Sequence, residues 1–342
     1  MWCARLEAAG VRVTAALERG VERLSAQFDF TGAQIERATG EALGAVGARG
    51  GADKLSEGLW NASLALVRPQ LEGLTQRIVP AERADWSRLI LPEQDLNTLK
   101  RLVAHVRERQ RVYETWGWHG DSSRGFGISA LFGGPSGTGK TFSAEIIARE
   151  LGVDLQRIEL PSIVSKYIGE SEKLLSKLFD AAEYGGCILL FDEADAIFGK
   201  RSEVKDSNDR YANLEVSYLL QRMESFRGLV ILTTNQESNM DSAFLRRLRF
   251  VVHYPNPDAE ARATLWRGIF PPDTPTQGLN FARLAQLEVA GGNIRNIALN
   301  AAFDASSQGE PVRMGHLHVA ALEEVRKLKR LPRTGEFDGW AS

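Results

Sequence analysis

The sequence predicts an α/β fold: a parallel five-stranded sheet flanked by helices, with a small helical domain after it and a helical region before it. Three observations carry this. Short apolar runs at residues 128–132, 155–160, 188–191, 229–233 and 250–254 alternate with helical stretches, and such alternation argues for a parallel sheet covered on both faces. A glycine-rich turn from Gly134 to Thr141 joins the first run to a helix pattern that begins at Phe142. After Pro255-Asn256-Pro257 the strand signals stop, and only helical spacing follows.

The elements are justified in chain order. Leu6, Val13, Leu17, Val21, Leu24 and Phe28 stand at helical steps. A glycine-rich interval follows at Gly40, Gly44, Gly47, Gly50 and Gly51. A second helical pattern runs through Leu55, Leu59, Leu64, Val67, Leu71, Leu74 and Ile78, with an interruption at Pro69. Residues 96–113 read as a basic amphipathic helix leading toward the turn, and 258–270, 281–287, 293–306 and 316–328 as the closing helices. The predicted organisation is a helical accessory region and linker over 1–90, a sheet domain over 91–255 and a small helical domain over 256–342. In such a sheet, ligands bind at the carboxyl ends of the strands, where the polar motifs are expected to fall.

Composition excludes several classes. The chain has 342 residues, long enough for two or three domains, with 43% hydrophobic and 25% charged content. A formal net charge of −2 supplies no global attraction to nucleic acid or to an anionic membrane. Cys3 and Cys187 are the only cysteines, which fits a reducing compartment rather than a disulfide framework. The longest apolar runs fall well short of a membrane span. The start, Met1-Trp2-Cys3-Ala4-Arg5, lacks a basic region followed by an apolar stretch, so a cytoplasmic protein is expected.

Residues 134–141 match G-x-x-x-x-G-K-[ST] between a strand and a helix, the context a phosphate-binding loop requires. Its glycines let backbone N–H groups turn inward onto phosphate oxygens, and the following helix adds its positive end. The cradle comprises Gly134, Pro135, Ser136, Gly137, Thr138, Gly139, Lys140, Thr141 and Phe142. Lys140 brings a point charge to the β- and γ-phosphates, and the Thr141 hydroxyl can ligate Mg²⁺. This pattern predicts nucleoside triphosphate binding.

A second apolar run, Ile188-Leu189-Leu190-Phe191, ends in Asp192-Glu193. Two acids at a strand end can simply cap a turn. Downstream of a phosphate loop, Asp192 is placed to hold Mg²⁺ directly or through water, and Glu193 to take a proton from the attacking water. A water-activating glutamate points to hydrolysis rather than to transfer onto a small molecule.

Together these residues resemble the AAA+ ATPases of the AAA clade over about residues 91–330. That resemblance implies the P-loop AAA+ fold, ATP and Mg²⁺ as cofactors, and a homo-oligomeric ring, usually a hexamer, acting on a protein substrate. Leu232-Thr233-Thr234-Asn235 resembles the sensor-1 strand, with Asn235 positioning water. Residues 241–249 resemble the segment that lends arginine fingers to a neighbouring subunit, with Arg246 and Arg249 as candidates. Here Arg247-Leu248 replaces the Pro-Gly often found between the two arginines, leaving open which of three is the finger. Ser165-Lys166-Tyr167-Ile168-Gly169-Glu170 is similar to a substrate-gripping pore loop, with Lys166, Tyr167 and Ile168 as the grip. Gly291-Gly292-Asn293-Ile294-Arg295 resembles the sensor-2 region, where Arg295 either reaches the γ-phosphate or serves as a surface ion-pair partner. Arg111-Val112-Tyr113, Trp116-Gly117-Trp118 and residues 199–213 are similar to ATPases encoded with contractile injection systems, which implies a role as a component of such a particle.

Other signals are weaker. Trp116, Trp118 and His119 are expected to pack a linker against the sheet. His316 and His318, two apart on a helix, face different ways and make a poor metal pair. Residues 326–330 are basic and complement a helix C-terminus. A nucleic-acid-directed motor or clamp-loader-like switch shares the same ATP chemistry and is the second reading; mild acidity and the pore-loop pattern make nucleic acid the less favoured partner.

Overall fold

The structure is a computed structural model that describes residues 1–28, 30–47, 51–71, 73–118, 127–160, 171–183, 186–195, 217–237, 240, 242–333 and 335–340. Four helices open the chain: α1 (Trp2–Ala8), α2 (Ala15–Gln27), α3 (Gly32–Val46) and α4 (Ala52–Leu71). The first apolar series therefore divides. Gly10 takes a φ of 78°, and the Thr14 side chain caps α2 by accepting from the Leu17 N–H. Gly40 and Gly44, expected in a glycine-rich interval, lie inside α3. That helix starts at a Thr31–Gln34 capping box and buries Ile35, Ala38, Thr39 and Ala42. Helix α4 also continues past Pro69 to the buried Leu71. A proline near a helix end removes its own N–H bond but leaves the earlier turns intact, so burial of Val67 and Leu71 outweighs it.

The sheet has six strands in the order β1-β3-β4-β5-β2-β6. They are β1 (Gln76–Ile78), β2 (Ile128–Gly133), β3 (Asp154–Glu159), β4 (Cys187–Asp192), β5 (Leu229–Thr234) and β6 (Phe250–His253). The five expected strands are parallel, and β1 adds an antiparallel edge with Ile78 opposite Leu155. Ile78 thus corrects the helical reading of its segment: a three-residue strand is too short to show a period, and its pairing partner lies far along the chain.

Alternate strand residues point to opposite faces. One face buries Ile128, Ala130, Phe132, Leu155, Ile188, Leu190 and Ile231 beneath α5 (Glu93–Gln110) and α6 (Lys140–Leu151). The other buries Leu131, Ile158, Leu189, Phe191, Val230 and Leu232 against α7 (Ser171–Ala182) and α8 (Ser242–Leu245). Each such aliphatic or aromatic side chain contributes about 1.5–3 kcal/mol when fully buried.

The closing region holds α9 (Ala259–Ile269), α10 (Phe281–Leu284), α11 (Gly291–Gln308) and α12 (Met314–Lys327) around Trp266, Leu284, Ile294, Ile297 and Leu317. The chain then folds back, and Trp340 is fully buried in the same core. At the other end, the opening helices are fastened beneath the sheet. Arg23 Nη2 donates to Leu151 O at 2.9 Å, Trp60 Nε1 to Gly152 O at 2.6 Å, and Arg68 takes the Asp154 carboxylate through two bonds of 2.6 and 3.1 Å. Asp154 begins β3, so this bundle covers the amino ends of the strands and leaves the carboxyl ends to the ligand.

Candidate functional site

The glycine-rich loop leaves β2 at the carboxyl end of the sheet. Gly134 has a φ of 151°, and a Cβ there would overlap the Tyr254 carbonyl oxygen. Only glycine fits. Gly137 and Gly139 follow at φ 78° and 105°, and α6 starts at Lys140. The loop is braced from below: Gly134 N–H donates to Thr234 O at 3.1 Å, and Tyr254 N–H to Gly133 O at 2.7 Å. The Phe142 side chain packs partly buried on the core. It therefore offers a phosphate only its backbone N–H, one of the unpaired donors of a helix start.

Lys140 is buried, and its ammonium donates to Gly134 O (2.6 Å), Pro135 O (2.8 Å) and Asn235 Oδ1 (2.9 Å). Burial lowers its pKa, while Asp192 and Asp195 oppose that shift. The structure thus brings three predicted groups together: Lys140 from the loop, Asn235 from the end of β5, and the acids at the end of β4.

Asp192 is fixed on every side. Its Oδ1 accepts from the Thr233 hydroxyl and from Glu193 N–H at 3.2 Å. Its Oδ2 accepts from Arg157 Nε–H at 3.0 Å, and the same guanidinium's Nη2 stands 2.7 Å away in an ion pair. Glu193 is exposed and has a φ of 57°, a left-handed conformation uncommon for a non-glycine residue. Strain of this kind, worth about 1–3 kcal/mol, clusters at functional positions. The hydroxyl of Thr141 and the carboxylate of Asp192 are hard oxygen donors, and that donor chemistry fits Mg²⁺.

Two contributors escaped the sequence reading. Asp195 accepts from the Thr234 hydroxyl (2.9 Å) and from Asn235 N–H (3.2 Å), so it fixes the strand end that presents Asn235. Its place three residues after Asp192 was the available signal. Arg157 gave none, because a lone arginine in a strand carries no spacing pattern.

The arginine segment lies elsewhere. Phe250 pairs with Ala130, and Arg249 N–H donates to Ser129 O, so the segment meets the sheet at the amino end of β6. This corrects the expectation that every polar motif falls at a carboxyl end. At about 3.3 Å per residue, that end stands roughly 15 Å below the loop, beyond the reach of one side chain. Arg249 donates to the Tyr113 hydroxyl at 2.5 Å, and Arg247 lies 3.8 Å from Glu224. Arg246 is exposed and has no ion-pair partner among the described residues.

On the opposite side of the loop, Gly292 N–H at the start of α11 donates to Gly137 O at 2.8 Å. Arg295 lies one turn further along, exposed and without an ion pair among the described residues. Leu89 is buried beside Gly139 and closes the loop on a third side. Lys166, Tyr167 and Ile168 lie outside the described residues, as do His119 and residues 199–213. Trp116 and Trp118 do not pack as expected: they are 60% and 75% exposed, with the Arg111 guanidinium 5.4 Å above Trp116. Their segment follows α5 through a π-turn (Arg111–Thr115) that buries no residue of its own.

Comparison with known proteins adds two family matches. Residues 130–257 match the ATPase family associated with various cellular activities (AAA), and residues 1–69 match the contractile injection system ATPase helical domain. An uncharacterized AAA family ATPase of Sinorhizobium fredii is 33% identical over 53% of this chain and 56% of its own length. A proteasome-activating nucleotidase of Methanoregula boonei is 33% identical over 57% of this chain and 47% of its own. The 26S proteasome subunit RPT4 of Saccharomyces cerevisiae is 30% identical over 69% of this chain and 57% of its own. The chain spans about half the length of these relatives.

Proposed function

We propose, for a chain that carries an AAA ATPase domain behind a contractile injection system ATPase helical domain, that it hydrolyses ATP in a homo-oligomeric ring and uses the cycle to remodel a protein substrate. The observation that carries this is the division of the site. Lys140, Asp192, Glu193 and Asn235 gather at the carboxyl ends of the strands, while Arg246, Arg247 and Arg249 sit at the amino end of β6. One chain therefore does not reach its own phosphates with these arginines, and a neighbour must supply them.

In this reading the loop N–H groups and Lys140 bind the triphosphate. Thr141 and Asp192 hold Mg²⁺, which neutralises phosphate charge when bound. Glu193 accepts the proton of the attacking water and Asn235 orients that water. A neighbour's Arg246 stabilises the charge spread over the transferring phosphoryl group, with Arg249 held back by Tyr113. Arg295 stands one turn from Gly292 and is assigned to sensing the γ-phosphate. Lys166, Tyr167 and Ile168 grip the substrate in the channel, by the resemblance of their segment alone.

Two relatives are named for the proteasome, which favours a protein substrate over nucleic acid. The helical-domain match favours a component of a contractile injection particle. A hexamer in the cytoplasm is proposed; among the described residues no helix is long and apolar enough to cross a membrane.

The deciding experiment measures ATPase rate against protein concentration, together with particle mass with and without ATP. Turnover rising with assembly is expected, as is rescue in mixed rings, where an unsubstituted neighbour lends its arginine to the intact loop of an Arg246→Ala subunit. Full turnover by a diluted single chain would overturn the shared site. Stimulation by DNA but not by protein would favour the second reading.

A further inference from the structure

We propose that Glu324 is the positioning residue of Arg295: it fixes the roll of α11 so that Arg295 stands beside the phosphate loop, and so sets how well the site tells ATP from ADP. The inference rests on the nucleotide site and on the γ-phosphate role of Arg295 proposed above.

Helix α12 carries a carboxylate in its apolar stripe. Leu317, Ala320, Ala321 and Glu324 follow at helical steps, and all four are buried. A charged side chain is rarely buried this far without partners. Glu324 finds them on α11, where its Oε1 accepts from Asn293 Nδ2 at 3.0 Å and from Asn296 Nδ2 at 3.3 Å. Its Oε2 accepts from Lys327 Nζ at 3.4 Å, but that lysine is mostly exposed and contributes little. Burial by itself would raise the pKa of Glu324; Asn293, Asn296 and Lys327 prevail and hold it below the usual carboxyl value. The group is therefore a carboxylate at neutral pH and an acceptor for both amides.

Residues three apart share a helix face, and two of them bonded to one oxygen resist any roll of α11 on α12. That roll governs the adjoining face. Gly292 meets the loop: its N–H donates to Gly137 O at 2.8 Å, and a Cβ there would stand 3.0 Å from Gly137 Cα. At about 100° per residue, Asn293 and Asn296 lie roughly 100° and 40° round the axis from Gly292, and Arg295 about 60° to the other side. Glu324 thus grips one flank of the loop contact and Arg295 stands on the opposite flank. Helical side chains lean toward the N-terminus, which here is the loop end. Arg295 is exposed, with no ion pair among the described residues to aim it, so its direction comes from the helix that carries it.

The test uses the full chain with Mg²⁺ and measures by calorimetry the dissociation constants of a non-hydrolysable ATP analogue and of ADP. Their ratio is the readout, because a merely structural loss weakens both alike. Arg295→Ala is expected to weaken the analogue about tenfold and ADP less than about twofold. Glu324→Ala is expected to shift the ratio the same way by about fivefold or more, with no further shift when the two substitutions are combined. Glu324→Gln keeps an oxygen where both amides donate and is expected to hold the ratio within about twofold of the unsubstituted chain. Should Glu324→Ala fail to fold, Asn293→Ala combined with Asn296→Ala removes the same two bonds and decides. A ratio that moves in Arg295→Ala but stays unchanged in the folded Glu324 or asparagine variants would overturn the assignment and leave the nucleotide site standing. An unchanged ratio in Arg295→Ala would overturn the γ-phosphate role together with it, and absence of nucleotide binding by the unsubstituted chain would overturn the site itself.

Discussion

Lys140 donates to two carbonyls of its own loop and to Asn235, so a single side chain ties the phosphate cradle to the end of β5. Replacing it with alanine removes the phosphate charge and leaves both carbonyls without this donor. Lys140→Ala is expected to weaken fluorescent-nucleotide binding by at least about a hundredfold, and unchanged affinity would reject the loop as the site. Glu193→Gln keeps the side-chain shape and deletes the proton acceptor, so nucleotide should bind while turnover falls about 10²–10⁴-fold in single-turnover assays. Among the arginines, Arg246→Ala is expected to cost on the order of 10³ in turnover. Arg249→Ala should cost far less, because Tyr113 already holds that guanidinium; equal losses would assign the finger to both. At this scale the motif residues were legible, since their chemistry demands fixed spacing: Lys140 and Thr141 are adjacent, as are Asp192 and Glu193. Arg157 and Asp195 were not. Their roles follow from which strand ends meet, and no local pattern records that.

Between elements, the start of α11 stands backbone to backbone against the loop. A Cβ on Gly292 would stand 3.0 Å from Gly137 Cα, backbone against backbone. Gly292→Val should push the two apart and raise the nucleotide dissociation constant about tenfold or more, read by calorimetry. The tail after α12 is fastened by Glu336, which is buried and accepts from Arg330 at 2.8 and 2.9 Å and from Arg333 N–H at 2.8 Å. Burial alone would raise its pKa, but these donors and charges prevail and hold it below the usual value. A depressed folded pKa gives stability that is complete above the unfolded value of about 4.3 and is lost as pH falls through the folded one. Thermal melts of the native chain should therefore drop below about pH 4.5, and Glu336→Gln should flatten that part of the profile. The strands and most helices were legible because each carries its own period. Ile78 and the glycines of α3 were misread because pairing with β3 and packing on α4 override weak local signals.

For the whole molecule, the opening bundle and the sheet share one ion cluster at Asp154, which binds Arg68 at 2.6 Å and Arg77 at 3.1 Å. Asp154→Ala leaves two guanidinium groups facing a partly buried gap. It should destabilise the chain by about 1–3 kcal/mol in urea unfolding and speed proteolytic cutting between α4 and β1. Loss of neither would show that the bundle is held without this ion cluster. The bundle covers the amino ends of the strands and the nucleotide loop occupies the carboxyl ends, so the two stand at opposite ends of one sheet. The sequence by itself determined the sheet-and-helix order, the loop and the acid pair, because periodicity and phosphate chemistry are written in neighbouring residues. Only the tertiary structure decided that the arginines lie at the far end of β6 from their own chain's loop, that Trp116 and Trp118 are exposed, and that Asp192 is already held by Arg157. Each of those facts depends on strand order and register, which are set by pairing between segments far apart in the chain.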